Sequence, residues 1–471
     1  MTCGLRCMLR LGLCCGLFWG CGAHNTANGD NAQADAQHAA VKAATASDLP
    51  PAAAASAPPA KRAGVEGFRR RPSARETRVI SELMTAAERV RQLRFARPVP
   101  VWVENRARIT DYVSSQIQED ELERARVVYT ALGLLSPSLD VRALLLRLLG
   151  EQVVGYYDAD SKHLVVRDDI MRGFAAKQTT DAETPNDLAE ARIVLLHELV
   201  HALQDQQLGL SLHIHEDRDT DASNAFHALV EGDATLAMIG YALEGERIPL
   251  RRLTSSPAQV RSFSEVVRRS PLAGSELEQA PAIVRIPLLS SYVDGLAFCA
   301  SLHGLSGFRG VDSAHAKPPS STEEILHPER FTAKAGPDVP TAIQLPQLQQ
   351  LEQAGYELVR EDTLGELEMG VYFGQALTAE QARRAADGWD GDRIRVYRAT
   401  NRPAAVVWLS VWDNEREAEQ AEQAAERVLR AAGKAGAARG GVYRRGSWLL
   451  ILRELQPELR SALASRLLSA R

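Results

Sequence analysis

Residues 195–206, LLHELVHALQDQ, constrain this chain more than any other stretch. Two histidines stand four apart, with a glutamate directly after the first. Thr184 as N-cap, Pro185 at the first helical position and Asp187 in the first turn predict a helix start. No breaker intervenes before Gly209, a good helix stop. Residues four apart share one helix face, so His197 and His201 point the same way. Two imidazole nitrogens can then reach one ion at about 2.0–2.1 Å each. Glu198 would stand beside such an ion rather than on it, placed to take a proton from water.

Spacing alone does not decide the matter, because chance produces this pattern in roughly one chain of this length in a hundred. Its surroundings decide more. Residues 193–203 are apolar except for His197, Glu198 and His201. A glutamate buried there is costly unless it is paired or serves a metal-bound water. A third ligand is also at hand. The metzincin pattern is excluded, since Gln204 and Gln207 stand where its glycine and third histidine belong. The downstream candidates are His213, His215, His227, Glu231 and Asp233. ALVEGDATLAMIG sets Glu231 in an apolar helix face, where a carboxylate wants a cation. Gly232 beside it weakens the helix by about 1 kcal/mol, which implies close packing of the two helix backbones. Glu231 is therefore the expected third ligand and Asp233 the runner-up. His213 and His215 fall in a polar loop and read as exposed. Two histidines and a glutamate leave a fourth position open, as in catalytic zinc sites. Cys299 is the sole cysteine outside the first 21 residues, so no thiolate-rich structural site can form.

On these residues, HELVHALQD resembles the active-site helix of the gluzincin metallopeptidases, and ALVEGDA is similar to their third-ligand helix. The combination GYYD, HELVHALQDQ, ALVEGDAT, YVDG, STEEILHPE and GWDGDR resembles a little-characterised group of prokaryotic exported HExxH proteins, over most of residues 80–400. The resemblance implies Asp205 as a residue supporting the metal ligands. It also implies that QVVGYYD or KHLVVR is an edge strand above the metal helix that pairs with substrate backbone. Against thermolysin, the interval from His201 to Glu231 is longer and the Asn-Glu signature is absent, so substrate preference does not carry over. Stabilising the oxyanion formed when water attacks a carbonyl requires a donor. Tyr292 is the leading candidate, followed by Tyr156, Tyr157 and His227.

The N-terminus has Arg6 and Arg10, an apolar run from Leu11 to Gly20, then Cys21. This is the layout of a secretory signal, too short to span a membrane. LFWGC resembles a bacterial lipobox, with bulky Phe18 and Trp19 where smaller residues are usual. Residues 1–20 are thus expected to be a lipoprotein-type signal peptide, with a lipid anchor at Cys21. Residues 21–66, rich in Ala, Pro, Asn, Asp and Ser, are expected to form a disordered tether. Five of six cysteines fall in the first 21 residues, so no disulfide framework is present. A net charge of −5 gives no sign of a nucleic-acid partner. The short run Phe68, Arg69, Arg70, Arg71 reads as a solvated charge run.

Apolar spacing predicts helices over ISELMTAAERVRQLR and EDELERARVVYTALGLL, with PVPVWVEN a strand between them. EQVVGYYD and KHLVVRDD predict a hairpin closed by Ala159, Asp160, Ser161 and Lys162. After the loop GLSLHIHEDRDTD, a second helix is expected over 221–244. PPSSTEEILHPE reads as irregular. In the C-terminal part YELVRED, DRIRVYRA, AAVVWLSVW and GVYRRGSWLLILRE read as strands, with helices near 378–387, 414–432 and 456–470. GWDGDR (388–393) reads as a turn. The expected fold class is α+β: a mainly helical zincin-like metallopeptidase domain at 67–335 with a small active-site sheet, and a separate small α+β domain at 340–471.

The function expected from this pattern is zinc-dependent hydrolysis of peptide bonds. Zn²⁺ is held by His197, His201 and Glu231; Glu198 is the general base and Tyr292 the oxyanion donor. The partners are a peptide or protein substrate and a membrane reached only through Cys21. The location is the bacterial cell envelope. The alternative is a non-enzymatic, lipid-anchored surface protein with a structural zinc site and a partner-binding C-terminal domain.

Overall fold

The computed structural model describes residues 67–150, 153–175, 185–214, 216–269, 276–334, 336–433 and 439–469. The signal, the anchor Cys21, the tether, the N-cap Thr184 and His215 lie outside the described residues. The fold is α+β, mostly helical, with two small sheets.

The first sheet contains β1 (Arg69–Arg70), β2 (Val101–Glu104), β3 (Gly155–Asp158) and β4 (His163–Arg167), in the order β1-β2-β4-β3. β3 and β4 form the expected antiparallel hairpin, Gly155 facing Val166 and Asp158 facing His163. Asp158 Oδ1 accepts from the backbone N–H groups of Asp160 (3.0 Å) and Ser161 (3.3 Å), a side-chain turn lock. β2 pairs parallel to β4, which no local pattern announces. The arginine run is solvent-exposed at Arg69 and Arg71, as expected, and is also paired. Arg70 Nη2 lies 2.7 Å from Glu76 and 2.9 Å from Asp168, Arg69 pairs with Glu104, and Arg71 stacks 3.6 Å from the Trp102 ring centre.

Helix α1 (Ala74–Arg91) starts on a capping box between Ser73 and Glu76. It is followed by α2 (Arg106–Gln116), α3 (Glu119–Ala131) and α4 (Val141–Gly150). Helix α5 (Pro185–Leu208) carries the two histidines and ends where Gly209 turns left-handed at φ +72°. Residues 194–205 are all buried, so this central stretch of the helix is enclosed on every side. The loop expected after it contains a short helix at Leu210–Ile214. Asp219 then caps α6 (Thr220–Gly245), its side chain accepting from the Ala222 N–H.

α6 crosses α7 (Ala282–Ser306) at a pair of glycines. A Cβ on Gly232 would lie 2.2 Å from the Gly295 carbonyl, and one on Gly295 would lie 2.1 Å from the Ala228 oxygen. The close approach that Gly232 implied is therefore made to α7 and not to α5. α7 is long and apolar enough to cross a membrane by length and composition, but 72% of that window is buried inside the protein, as in a core helix.

Beyond α7 come α8 (Phe308–Ala316), α9 (Thr322–Leu326) and α10 (Pro328–Phe331). The last two turn the stretch read as irregular into two short helices. The second sheet is antiparallel in the order β5-β6-β7-β9-β8: β5 (Glu357–Asp362), β6 (Trp389–Ala399), β7 (Arg402–Trp412), β8 (Gly441–Arg445) and β9 (Trp448–Arg453). GVYRRGSWLLILRE is thus two strands of a hairpin. GWDGDR is no plain turn. Trp389–Arg393 open β6, with a register shift between Trp389 and Gly391. Asp392, inside the strand, accepts from the N–H groups of Leu364 (3.0 Å) and Gly365 (2.9 Å) and from Trp389 Nε1 (3.1 Å). That capping role is why turn-type residues sit in a strand.

Besides a short helix at Gln349–Gln353, the helices of this part are α11 (Gly365–Phe373), α12 (Ala379–Ala386), α13 (Glu415–Ala431) and α14 (Pro457–Ser469). α11 escaped the pattern reading because Glu366 and Glu368 stand at buried positions. β7 is buried on both faces. Val406 and Trp408 pack into one hydrophobic cluster, and Val407, Leu409 and Val411 into another, so its sequence reads as an unbroken apolar run. The first cluster does not stop at residue 340. It joins Trp389, Trp408 and Trp412 to Tyr129 and Leu132 near the end of α3 and to Ile283, Leu288 and Tyr292 of α7. Tyr129 O–H also donates to Glu368 Oε2 at 2.9 Å. The two sheets are distinct, but the packing between them is continuous.

Candidate metal centre

α5 and α6 bring three donor atoms to one point. His197 Nε2 and His201 Nε2 lie 3.0 Å apart, their rings edge to face. Glu231 Oε2 lies 3.1 Å from His197 Nε2 and 3.6 Å from His201 Nε2. Ligands held tetrahedrally at 2.0–2.1 Å from an ion stand about 3.3 Å from one another, and the three observed separations bracket that value.

The hydrogen bonds turn the right atoms inward. His201 Nδ1 lies 2.8 Å from Gln204 Oε1. Gln204 Nε2 donates to the Val230 carbonyl (3.0 Å) and to Asp233 Oδ2 (2.9 Å). The Gln204 oxygen is thereby assigned as acceptor, His201 carries its proton on Nδ1, and the Nε2 lone pair faces the centre. Three converging electron pairs in a buried site call for a positive charge. The electrostatics agree. Burial alone lowers His201, but Glu231 and Glu198 raise it to about 9, the mark of a site that favours positive charge. Burial opposes ionisation of Glu231, yet His201 and His197 hold its carboxyl well below the usual range. Burial keeps His197 neutral by lowering it.

Glu198 is fully buried beside this point. Its Oε2 accepts the backbone N–H of Tyr157, on edge strand β3, at 3.0 Å. Its Oε1 has no hydrogen-bond partner. Burial pushes the carboxyl well above its ordinary range, so it is poised to hold a proton. One oxygen of this carboxyl is thus fixed and the other is available.

Tyr292 comes to the site from α7, its ring centre 6.2 Å from that of His197. The other tyrosines do not. Tyr156 stacks on Tyr112, and Tyr157 O–H donates to Asp205 at 2.6 Å. His227 Nδ1 lies 2.9 Å from the Ser223 carbonyl, and His213 pairs with Glu216. Asp233, the runner-up ligand, is drawn away from the centre. It lies 2.6 Å from Arg91 Nε and 3.0 Å from His315 Nε2, and the Arg91 charge and the His315 hydrogen bond hold its carboxyl far down despite burial. Asp205 hydrogen-bonds neither histidine. It accepts from Tyr157, from Lys162 Nζ (2.9 Å) and from the Ser211 N–H (3.2 Å), and so steadies the strand that holds Glu198.

Sequence reasoning missed Gln204, Arg91 and His315. Gln204, three residues after His201 on the same helix face, had a readable signal. Arg91 and His315 come from distant helices and had none.

Residues 352–448 match a family described as a domain of unknown function (DUF8575). That stretch carries β5, β6, β7 and β8 and contains none of His197, Glu198, His201 and Glu231. No curated protein matches the chain, and no solved structure matches it.

Proposed function

We propose that this protein is a zinc-dependent hydrolase of peptide bonds, with a gluzincin-type centre in a zincin-like unit at 67–335. The observation that carries this reading is the convergence of His197 Nε2, His201 Nε2 and Glu231 Oε2, with the half-free carboxylate of Glu198 alongside. Zn²⁺, held by His197, His201 and Glu231, would supply Lewis acidity toward water and the scissile carbonyl. Glu198 Oε1 takes the proton from the attacking water and returns it to the leaving amine. The Tyr157 N–H keeps Glu198 Oε2 in place during both transfers. Gln204 fixes the His201 ring. The Tyr292 hydroxyl is the donor for the developing oxyanion. β3, the sheet edge beside α5, is the element along which an extended substrate would run. Export, a lipid anchor at Cys21 and a place in the bacterial cell envelope belong to the same proposal.

A second reading, a structural zinc site in a non-enzymatic surface protein, is favoured by one observation. His197 and Glu198 are 0% exposed, Glu231 2% and His201 3%. Peptide access to such a site requires the packing around it to open.

Elemental analysis and turnover on a peptide library, for the full-length protein and two variants, separate the readings. The hydrolase reading expects one zinc lost in Glu231→Ala, and Glu198→Gln that keeps zinc but has no activity. Full activity of Glu198→Gln sinks the mechanism. Stable zinc in a wild type without turnover selects the structural reading.

A further inference from the structure

A second group of metal-type ligands lies where the 322–331 segment meets the C-terminal part. His327, between α9 and α10, places Nε2 at 3.0 Å from Glu366 Oε1 on α11 and at 3.6 Å from Asp387 Oδ1. Asp387 is the C-cap of α12. One donor atom from each of the three residues falls within 4.8 Å of the others. Glu366 is only 5% exposed, and its second oxygen, Oε2, has no hydrogen-bond partner. His327 Nε2 already hydrogen-bonds Oε1, but a buried carboxylate whose other oxygen has no donor is unfavourable unless a cation reaches it.

The surroundings carry excess negative charge. The fixed cation there is Arg330, which pairs with Glu323 and lies 3.3 Å from Asp413, 3.6 Å from Asp387 and 3.8 Å from Asp338. Burial raises the Glu323 carboxyl to about 9 even beside Arg330, and Glu366, Asp413 and Asp338 add to the rise. The His327 side chain is 24% exposed and that of Asp387 55%, so an ion can enter from solvent.

We propose that His327, Glu366 and Asp387 form a second divalent-cation site, suited by its one imidazole and two carboxylates to Zn²⁺, that ties the 322–331 segment to α11 and α12. This site does not depend on the hydrolase reading. A cation there would clamp three chain segments that sequence separates by up to sixty residues, and would stabilise the joint between the two sheets' surroundings.

The test is a Zn²⁺ titration of the chelator-stripped, full-length protein, read as stoichiometry and thermal midpoint. Mn²⁺ serves as the oxygen-preferring comparison. Wild type is expected to take two equivalents. His327→Ala and Glu366→Gln should each lose one and keep the equivalent that Glu231→Ala removes. Asp387→Asn, at a mostly exposed position, guards against misfolding and should weaken the second equivalent roughly tenfold or more. One equivalent lost in His327→Ala but kept in Glu231→Ala would support this site and remove the other. Two equivalents retained in both His327→Ala and Asp387→Asn, or a single wild-type equivalent lost only in Glu231→Ala, overturns the proposal.

Discussion

Replacing Gly232 with alanine tests both the helix crossing and the metal centre. An alanine Cβ would stand 2.2 Å from the Gly295 carbonyl carbon and oxygen and 2.8 Å from its Cα. Ordinary carbon contacts lie near 3.5–4.0 Å. The obstacle is helix backbone on both sides, so no side chain can swing away. α6 and α7 must therefore separate by more than about 1 Å. Overpacking of this kind costs typically 1–3 kcal/mol, and the upper end applies here. Against it stands the helix-propensity gain of Gly→Ala, about 1 kcal/mol. The net expectation is a loss of about 2 kcal/mol, read as a lower urea midpoint at unchanged m. Glu231 is the preceding residue, so the same displacement moves a proposed zinc ligand, whose tolerance would be roughly 0.2 Å. Zinc affinity should fall with stability. The sign is decisive, because propensity alone predicts stabilisation. A Gly232→Ala protein as stable as wild type or more so, with zinc affinity intact, would refute the crossing described here.

Three further outcomes are expected. Gln204→Ala removes the acceptor that orients His201 and should weaken zinc binding roughly 10–100-fold in a chelator competition, with little change in fold by circular dichroism. Arg91→Met strips a fully buried guanidinium from Asp233 and Asp312 and should destabilise by about 3–5 kcal/mol in denaturant melts; Asp233→Asn added to it should restore part of the loss. Glu76 is held down to about 2 by its hydrogen bonds with Arg70, against the opposing effect of burial. A depressed carboxylate stabilises above its unfolded pKa and loses that contribution as pH falls through the folded one. The stability gap between wild type and Glu76→Gln should thus be full above about pH 5 and close toward pH 2. A gap unchanged from pH 7 to pH 3 would remove the ion pair from the account.

The sequence by itself determined what depends on neighbours along the chain. Caps, breakers and 3.6-residue spacing placed α5 and α6 to within a residue or two, because helix ends are local events at Asp219 and Gly209. The β3–β4 hairpin was equally local. The four-residue spacing of His197 and His201 was already a statement about geometry. Tertiary structure decided what depends on distant partners. Glu231 and Asp233 are both carboxylates in one apolar helix, two residues and so about 200° apart around its axis. Their sequence environments barely differ. Glu231 faces the histidines of α5, while Asp233 is held by Arg91 of α1 and His315 of α8. Only the packing of those helices assigns one to the centre and the other to its support. The parallel pairing of β2 with β4, the strand role of GWDGDR and the meeting of His327 with Glu366 were hidden for the same reason. Each depends on surfaces brought together by hydrophobic burial, which has no direction and no fixed spacing along the chain.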